Sequence, residues 1–143
     1  MGLIEIASNN SFWRGYDYYK DGNVKSKRQI SEYQYEGEVE GSESNIYSVM
    51  IDVQHPKRSI CNCPHAEGSR RICKHKVALY LSIFPEEGER VLREVEEWEA
   101  SEEQRWQDEC KKIEKYVNSL TKKELREQLL WRLIDERERS RRY

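Results

Sequence analysis

The stretch Cys61-Asn62-Cys63-Pro64, followed after nine residues by Cys73-Lys74-His75, decides how this sequence folds. Three thiolates and one neutral imidazole form a donor set that zinc binds in tetrahedral geometry. The flanking residues are not apolar core formers, which argues against reading the cysteines as inert core. Four protein ligands leave no coordination position for water, so the stretch predicts one structural zinc ion per chain, bound by Cys61, Cys63, Cys73 and His75.

The spacing of these residues also predicts local structure around the metal. Side chains two residues apart in a flat strand stand about 7 Å apart. Cys61 and Cys63 can therefore meet on one ion only if the backbone bends, and Pro64 favours such a bend. Apolar residues at helical spacing follow His75. We expect the metal to join the end of a strand to the start of a helix.

Other residues compete for these roles. His65 and His55 are alternative metal ligands, although a four-ligand set exists without them. Cys110 lies on the apolar seam of a predicted helix, where we expect it to pack as a small hydrophobe. A zinc hydrolase or deaminase is disfavoured, because the fourth position is filled and no glutamate stands in a signature such as H-x-E. We therefore predict that the protein is not an enzyme.

The rest of the chain indicates an α+β fold. Asn9, Asn10 or Ser11 can cap a first helix, and short runs rich in Val, Ile and Tyr alternate with polar residues up to Ile60, which predicts an antiparallel β meander. Residues 86–143 contain 14 basic and 17 acidic side chains and no proline. We predict an α+β domain at 1–85, with a small ββα zinc-finger unit at about 47–84, and a charged helical arm at 86–143.

The cysteine pattern resembles a known family. Cys61-x-Cys63…Cys73-x-His75 matches the SWIM zinc-finger pattern, C-x-C-x(n)-C-x-H, whose fold is a small ββα unit around zinc. The segments 13–24 and 39–51 look like the amino-terminal part of prokaryotic SWIM-containing proteins, Lys74–Ala78 looks like the family's helix start, and Leu120–Leu125 resembles a short helix that often follows. The resemblance implies the same four zinc ligands, nothing catalytic, and binding to DNA or to proteins.

Positive charge concentrates near the predicted metal site. Between residues 57 and 76 there are six basic side chains and a single acidic one, Glu67, in a chain whose net charge is -2. A basic surface of this kind suits nucleic-acid phosphates, although a merely solvated face would look the same. The residues that we predict to contact nucleic acid are Lys57, Arg58, Arg70, Arg71, Lys74 and Lys76.

The helical arm supports a different function. From Trp106 to Leu120, apolar residues repeat at spacings of 4 and 3, a heptad-like seam on a strongly charged helix, and the small zinc unit is too short to cover it. The seam predicts contact with the domain itself, a second copy or another protein. The alternative to nucleic-acid binding is thus a protein adaptor that acts through the C-terminal helices, with zinc purely structural.

The composition indicates whether the protein is soluble and where it is located. The chain has 143 residues, of which 36% are hydrophobic and 36% charged, and its mean hydropathy is -1.03. No apolar run approaches the ~20 residues of a membrane span, and residues 1–10 lack the features of a secretory signal. We expect a soluble, cytoplasmic protein that binds no membrane.

Overall fold

Two helices begin the chain in the computed structural model, which describes residues 2–143. They are α1 (Leu3–Ile6) and α2 (Asn9–Lys20). The Ser8 hydroxyl accepts a hydrogen bond from the Ser11 backbone N–H, so the cap of α2 lies one residue before the earliest position that we predicted. α2 buries Phe12 in the core.

A four-stranded antiparallel sheet follows, and its strands are ordered as they occur along the chain. This is the predicted meander. The strands are β1 (Val24–Gln29), β2 (Gln34–Glu40), β3 (Ile46–Asp52) and β4 (Ile60–Cys61). Because side chains alternate between the two faces of a strand, β2 and β3 bury Val39, Val49 and Ile51 on one face.

Helix α3 (Lys74–Ile83) covers the apolar face of the sheet and is the centre of the core. Val77, Ala78, Leu79 and Leu81 are fully buried, and α2 packs against α3. Strands β3 and β4 together with α3 form the ββα unit that the sequence predicted. The α+β fold class is confirmed.

Two long helices complete the chain: α4 (Pro85–Ser119) and α5 (Lys122–Arg141). Pro85 is the first residue of α4, a position where the missing backbone N–H costs nothing. The Thr-x-x-Glu pattern at Thr121–Glu124 predicts a capping box, and both of its hydrogen bonds are present at the start of α5. The spacing of apolar residues is broken at Glu102, between Trp98 and Trp106, but α4 continues through this residue.

The chain divides into two compact units, one ending at Arg93 and the other beginning at Glu94. The first unit contains the sheet, helices α1 to α3 and the first turns of α4. The second contains the rest of α4 and α5. The domain boundary at residue 85 stays a prediction.

Candidate metal centre

The first two cysteines converge because the backbone turns sharply after β4. The Asn62 side chain accepts a hydrogen bond from the backbone N–H of Ser48 at 2.9 Å. The Cys63 carbonyl then accepts hydrogen bonds from the N–H groups of Ala66 and Glu67 at 3.1 and 2.9 Å. These contacts anchor Asn62 to β3 and fold the next residues into a turn, which leaves Cys61 and Cys63 buried together.

The other two residues come from the beginning of α3. Cys73 is the N-cap residue of that helix, and His75 lies in its first turn. The Nδ1 atom of His75 is 3.8 Å from the Cys61 sulfur and 3.9 Å from the Cys73 sulfur. A strand end and a helix start therefore meet here, as the spacing predicted.

The four side chains fit one metal ion. One ligand atom from each lies within 4.8 Å of all the others, and all four residues are buried. A tetrahedron with zinc's bond lengths to sulfur and nitrogen has edges of about 3.5–3.8 Å, so only small closing movements are needed. Cys61, Cys63, Cys73 and His75 can thus bind one metal ion, and all 4 positions of a tetrahedral ion would be filled by protein.

The thiol groups of Cys61 and Cys73 interact with each other. Cys61 donates a hydrogen bond to the Cys73 sulfur, and this bond together with burial raises the pKa of Cys61. The same hydrogen bond lowers the pKa of Cys73, against the opposing effect of burial, and His75 lowers it further. Thiolate character is therefore favoured at Cys73, and a metal ion that binds thiolates displaces the remaining protons.

Lys76 provides a buried positive charge beside the thiols. Its side chain is fully buried, and its ammonium donates a hydrogen bond to the Arg71 carbonyl at 2.6 Å. Burial lowers the pKa of Lys76, and the charges of the three cysteines partly counteract that effect. An ion with three thiolates and a neutral imidazole has a net charge of -1, which this ammonium balances.

Two aromatic rings enclose His75. The rings of Tyr47 and Tyr18 lie 4.7 and 5.6 Å from the imidazole, centroid to centroid. The Nε2 atom of His75 is buried and has no hydrogen-bond partner in the described part of the chain. Gly41 lies against the same pair: a Cβ at this position would be 2.4 Å from the Tyr47 ring and 3.4 Å from that nitrogen. Gly41 thus leaves the space that the ligand ring occupies.

The six basic residues that we predicted to contact nucleic acid differ in their exposure. Lys57, Arg58 and Arg70 are exposed and line a shallow groove of about 740 Å³. Arg71 is also exposed, and Lys74 is half-buried. Lys76 is buried, so its ammonium is not presented to a phosphate from outside.

The alternative ligands lie outside the cluster. His65 lines a cavity beside it, together with Arg14, and His55 lines the groove near Lys57. Cys110 is exposed on α4 rather than packed, because nothing in residues 2–143 covers that side of the helix. Arg14 is the residue that the sequence analysis did not single out, since it lies far from the cysteines along the chain.

No protein-family pattern, curated protein or solved structure matches the chain. The likeness to SWIM zinc fingers therefore depends on the motif itself and on the clustering of its four residues. Among the described residues, no helix is both long enough and apolar enough to span a membrane.

Proposed function

We propose that the protein is a SWIM-type zinc module that binds nucleic acid and has no enzymatic activity. The observation that carries the proposal is the buried cluster of three cysteines and one histidine at the junction of β4 and α3. Its donors are soft or borderline, as zinc prefers, whereas calcium and magnesium take oxygen ligands. With four protein ligands, the ion has no open position for a substrate or an activated water, so its role is structural.

The exposed basic residues support the nucleic-acid part of the proposal. The groove that contains Lys57, Arg58 and Arg70 has no acidic residue among its lining residues. Arg71, which follows Arg70 and precedes Cys73 by two residues, is also exposed. Contacts to phosphates from such side chains give affinity that depends on salt and hardly on sequence. Reduced cysteines are typical of the cytoplasm, and a thiolate zinc site is therefore consistent with the cytoplasmic location that we propose.

Binding to a fluorescent DNA duplex at two salt concentrations tests this proposal. Three phosphate contacts predict a slope of log K against log salt of about -3. A variant with Lys57, Arg58, Arg70 and Arg71 changed to Gln should lose binding while it retains zinc. The matched control removes four positive charges from the arm, by changing Lys111, Lys112, Lys115 and Lys122 to Gln, and should bind nearly as the wild type does. An equal loss of DNA binding in both variants would contradict binding through the surface that contains Lys57, Arg58, Arg70 and Arg71.

A protein adaptor is the second candidate, and a specific observation favours it. On α4 and α5 the large apolar side chains are exposed, with Trp106 at 63% and Trp131 at 74%. Apolar surface of this extent on charged helices is typical of a protein–protein contact. In this alternative the helices bind a second copy or another protein, and the zinc ion only stabilises the domain.

A further inference from the structure

A cavity of about 390 Å³ lies beside the metal cluster, within the first unit. The beginnings of α2 and α3 and the turn after β4 enclose it, and Cys63, Cys73 and His75 form part of its wall. Its volume is in the lower part of the range for small-molecule sites. It is separate from the groove that contains Lys57 and Arg58, since the two share no lining residue.

The side chains that line this cavity favour an anion. Arg14 and Lys74 contribute two basic side chains, and none of the lining residues is acidic. Arg14 is exposed and forms no ion pair within residues 2–143. The Lys74 ammonium lies 4.6 Å from the centre of the Tyr18 ring, a contact that leaves its N–H groups able to donate. Both cations thus lack a carboxylate partner.

The metal cluster does not cancel this charge. Three thiolates on zinc contribute a net charge of -1 at the cavity wall, but the buried Lys76 ammonium balances it from the interior. The charges of Arg14 and Lys74 therefore remain for a ligand. Neutral donors surround them: Asn10 and Ser11 line the cavity with no side-chain hydrogen bond in the described part of the chain, and His65 adds an imidazole.

We infer that this cavity binds a phosphate group, with the Arg14 guanidinium and the Lys74 ammonium as its principal donors. A phosphate accepts hydrogen bonds in several directions, which suits cations and polar donors on different walls, and guanidinium binds it in a bidentate manner. The source of the group is either a nucleic-acid backbone or free phosphate. The first source rests on the proposed function, whereas the second does not.

The test uses the full zinc-loaded chain, with a fluorescent single-stranded DNA and inorganic phosphate as separate probes. Arg14→Gln should weaken binding of the DNA by about tenfold or more, the usual effect of losing a charged hydrogen bond. The matched control is Arg93→Gln, which removes the same charge from another exposed helical position and should change affinity less than twofold. Zinc content is measured in every variant, so that loss of the metal site is recognised.

In the second arm, inorganic phosphate is titrated into the ¹⁵N-labelled protein at constant ionic strength. The backbone amide signals of residues 14 and 74 should shift in the wild type and in Arg93→Gln, but not in Arg14→Gln. Shifts with phosphate but no binding of DNA would support the cavity and overturn the nucleic-acid function. DNA binding that is unchanged in Arg14→Gln, with no phosphate shifts, would overturn the cavity and leave the proposed function standing. No response to either probe would overturn both.

Discussion

Asp52 anchors the loop between β3 and β4, on which Lys57 and Arg58 lie. One carboxylate oxygen accepts hydrogen bonds from the backbone N–H groups of His55 and Gln54 at 2.7 and 3.0 Å, and the other accepts one from the Gln34 amide at 3.2 Å. Burial alone would raise the pKa of Asp52, but these hydrogen bonds outweigh it and lower the pKa below its ordinary value. The ionised carboxylate therefore stabilises the loop.

Asp52→Ala should lower the free energy of unfolding by about 1–3 kcal/mol, because two backbone N–H groups and the Gln34 amide lose the buried carboxylate that accepts their hydrogen bonds. The carboxylate's contribution is complete above its unfolded-state pKa of about 3.9 and is lost only as the pH falls towards the lower folded-state value. The cost should thus be constant between pH 8 and about pH 5. Urea denaturation of the zinc-loaded chain measures this cost, with Asp17→Ala at an exposed position of α2 as the control. A cost that changes over this pH range would contradict the assignment.

At the scale of elements, the contact between α2 and α3 depends on Gly15. A Cβ at this position would be 2.5 Å from Cβ of Val77 and 2.8 Å from the Lys74 carbonyl oxygen. Glycine inside a helix costs about 1 kcal/mol relative to alanine. Here the two helices approach so closely that alanine does not fit. Since α3 carries His75, the contact also positions the metal site.

Gly15→Ala should therefore destabilise the fold by about 1–3 kcal/mol, although it would stabilise an isolated helix. It should also weaken zinc binding, because α3 must shift away from α2. Gly88→Ala is the matched control: its Cβ would be 3.3 Å from the flexible end of the Leu81 side chain, which can move. Thermal unfolding of both variants measures the difference. Equal stability of the two variants would contradict the close contact between α2 and α3 at Gly15.

The elements also show what a sequence can predict. Alternating residues predicted β2 and β3, and the capping pattern at Thr121 predicted the start of α5, because both signals are local. The burial of Lys76 was not predictable in the same way. Its position among charged neighbours indicates a surface, whereas the residues around it in α3 are buried on nearly every side. Likewise, Arg14 and His65 line one cavity only because the fold brings together segments that are distant in sequence.

At the scale of the whole molecule, most of the large exposed apolar side chains belong to the second unit. Its apolar side chains on α4 include the seam Trp106, Ile113 and Val117, and α5 adds Leu129, Leu130, Trp131 and Leu133, all exposed. Exposed ion pairs on these helices contribute little to stability. Surface of this composition is more readily explained by association than by solvation.

We therefore expect the full chain to self-associate at micromolar concentration, as the adaptor alternative requires if its partner is a second copy. Ile113→Ser combined with Val117→Ser should shift sedimentation towards the monomer. Lys111→Ser combined with Gln107→Ser changes polar positions of the same helix and should have no such effect. A wild-type chain that sediments as a monomer at all concentrations would contradict self-association.

The metal content of the purified chain tests the central claim most directly. We predict one zinc ion per chain, lost in Cys61→Ser, Cys63→Ser, Cys73→Ser and His75→Ala, and retained in His65→Ala and Cys110→Ser. Because such sites couple metal binding to folding, chelation should also unfold residues 59–84. Full zinc occupancy in Cys73→Ser, or a folded wild-type chain that contains no metal, would contradict the account.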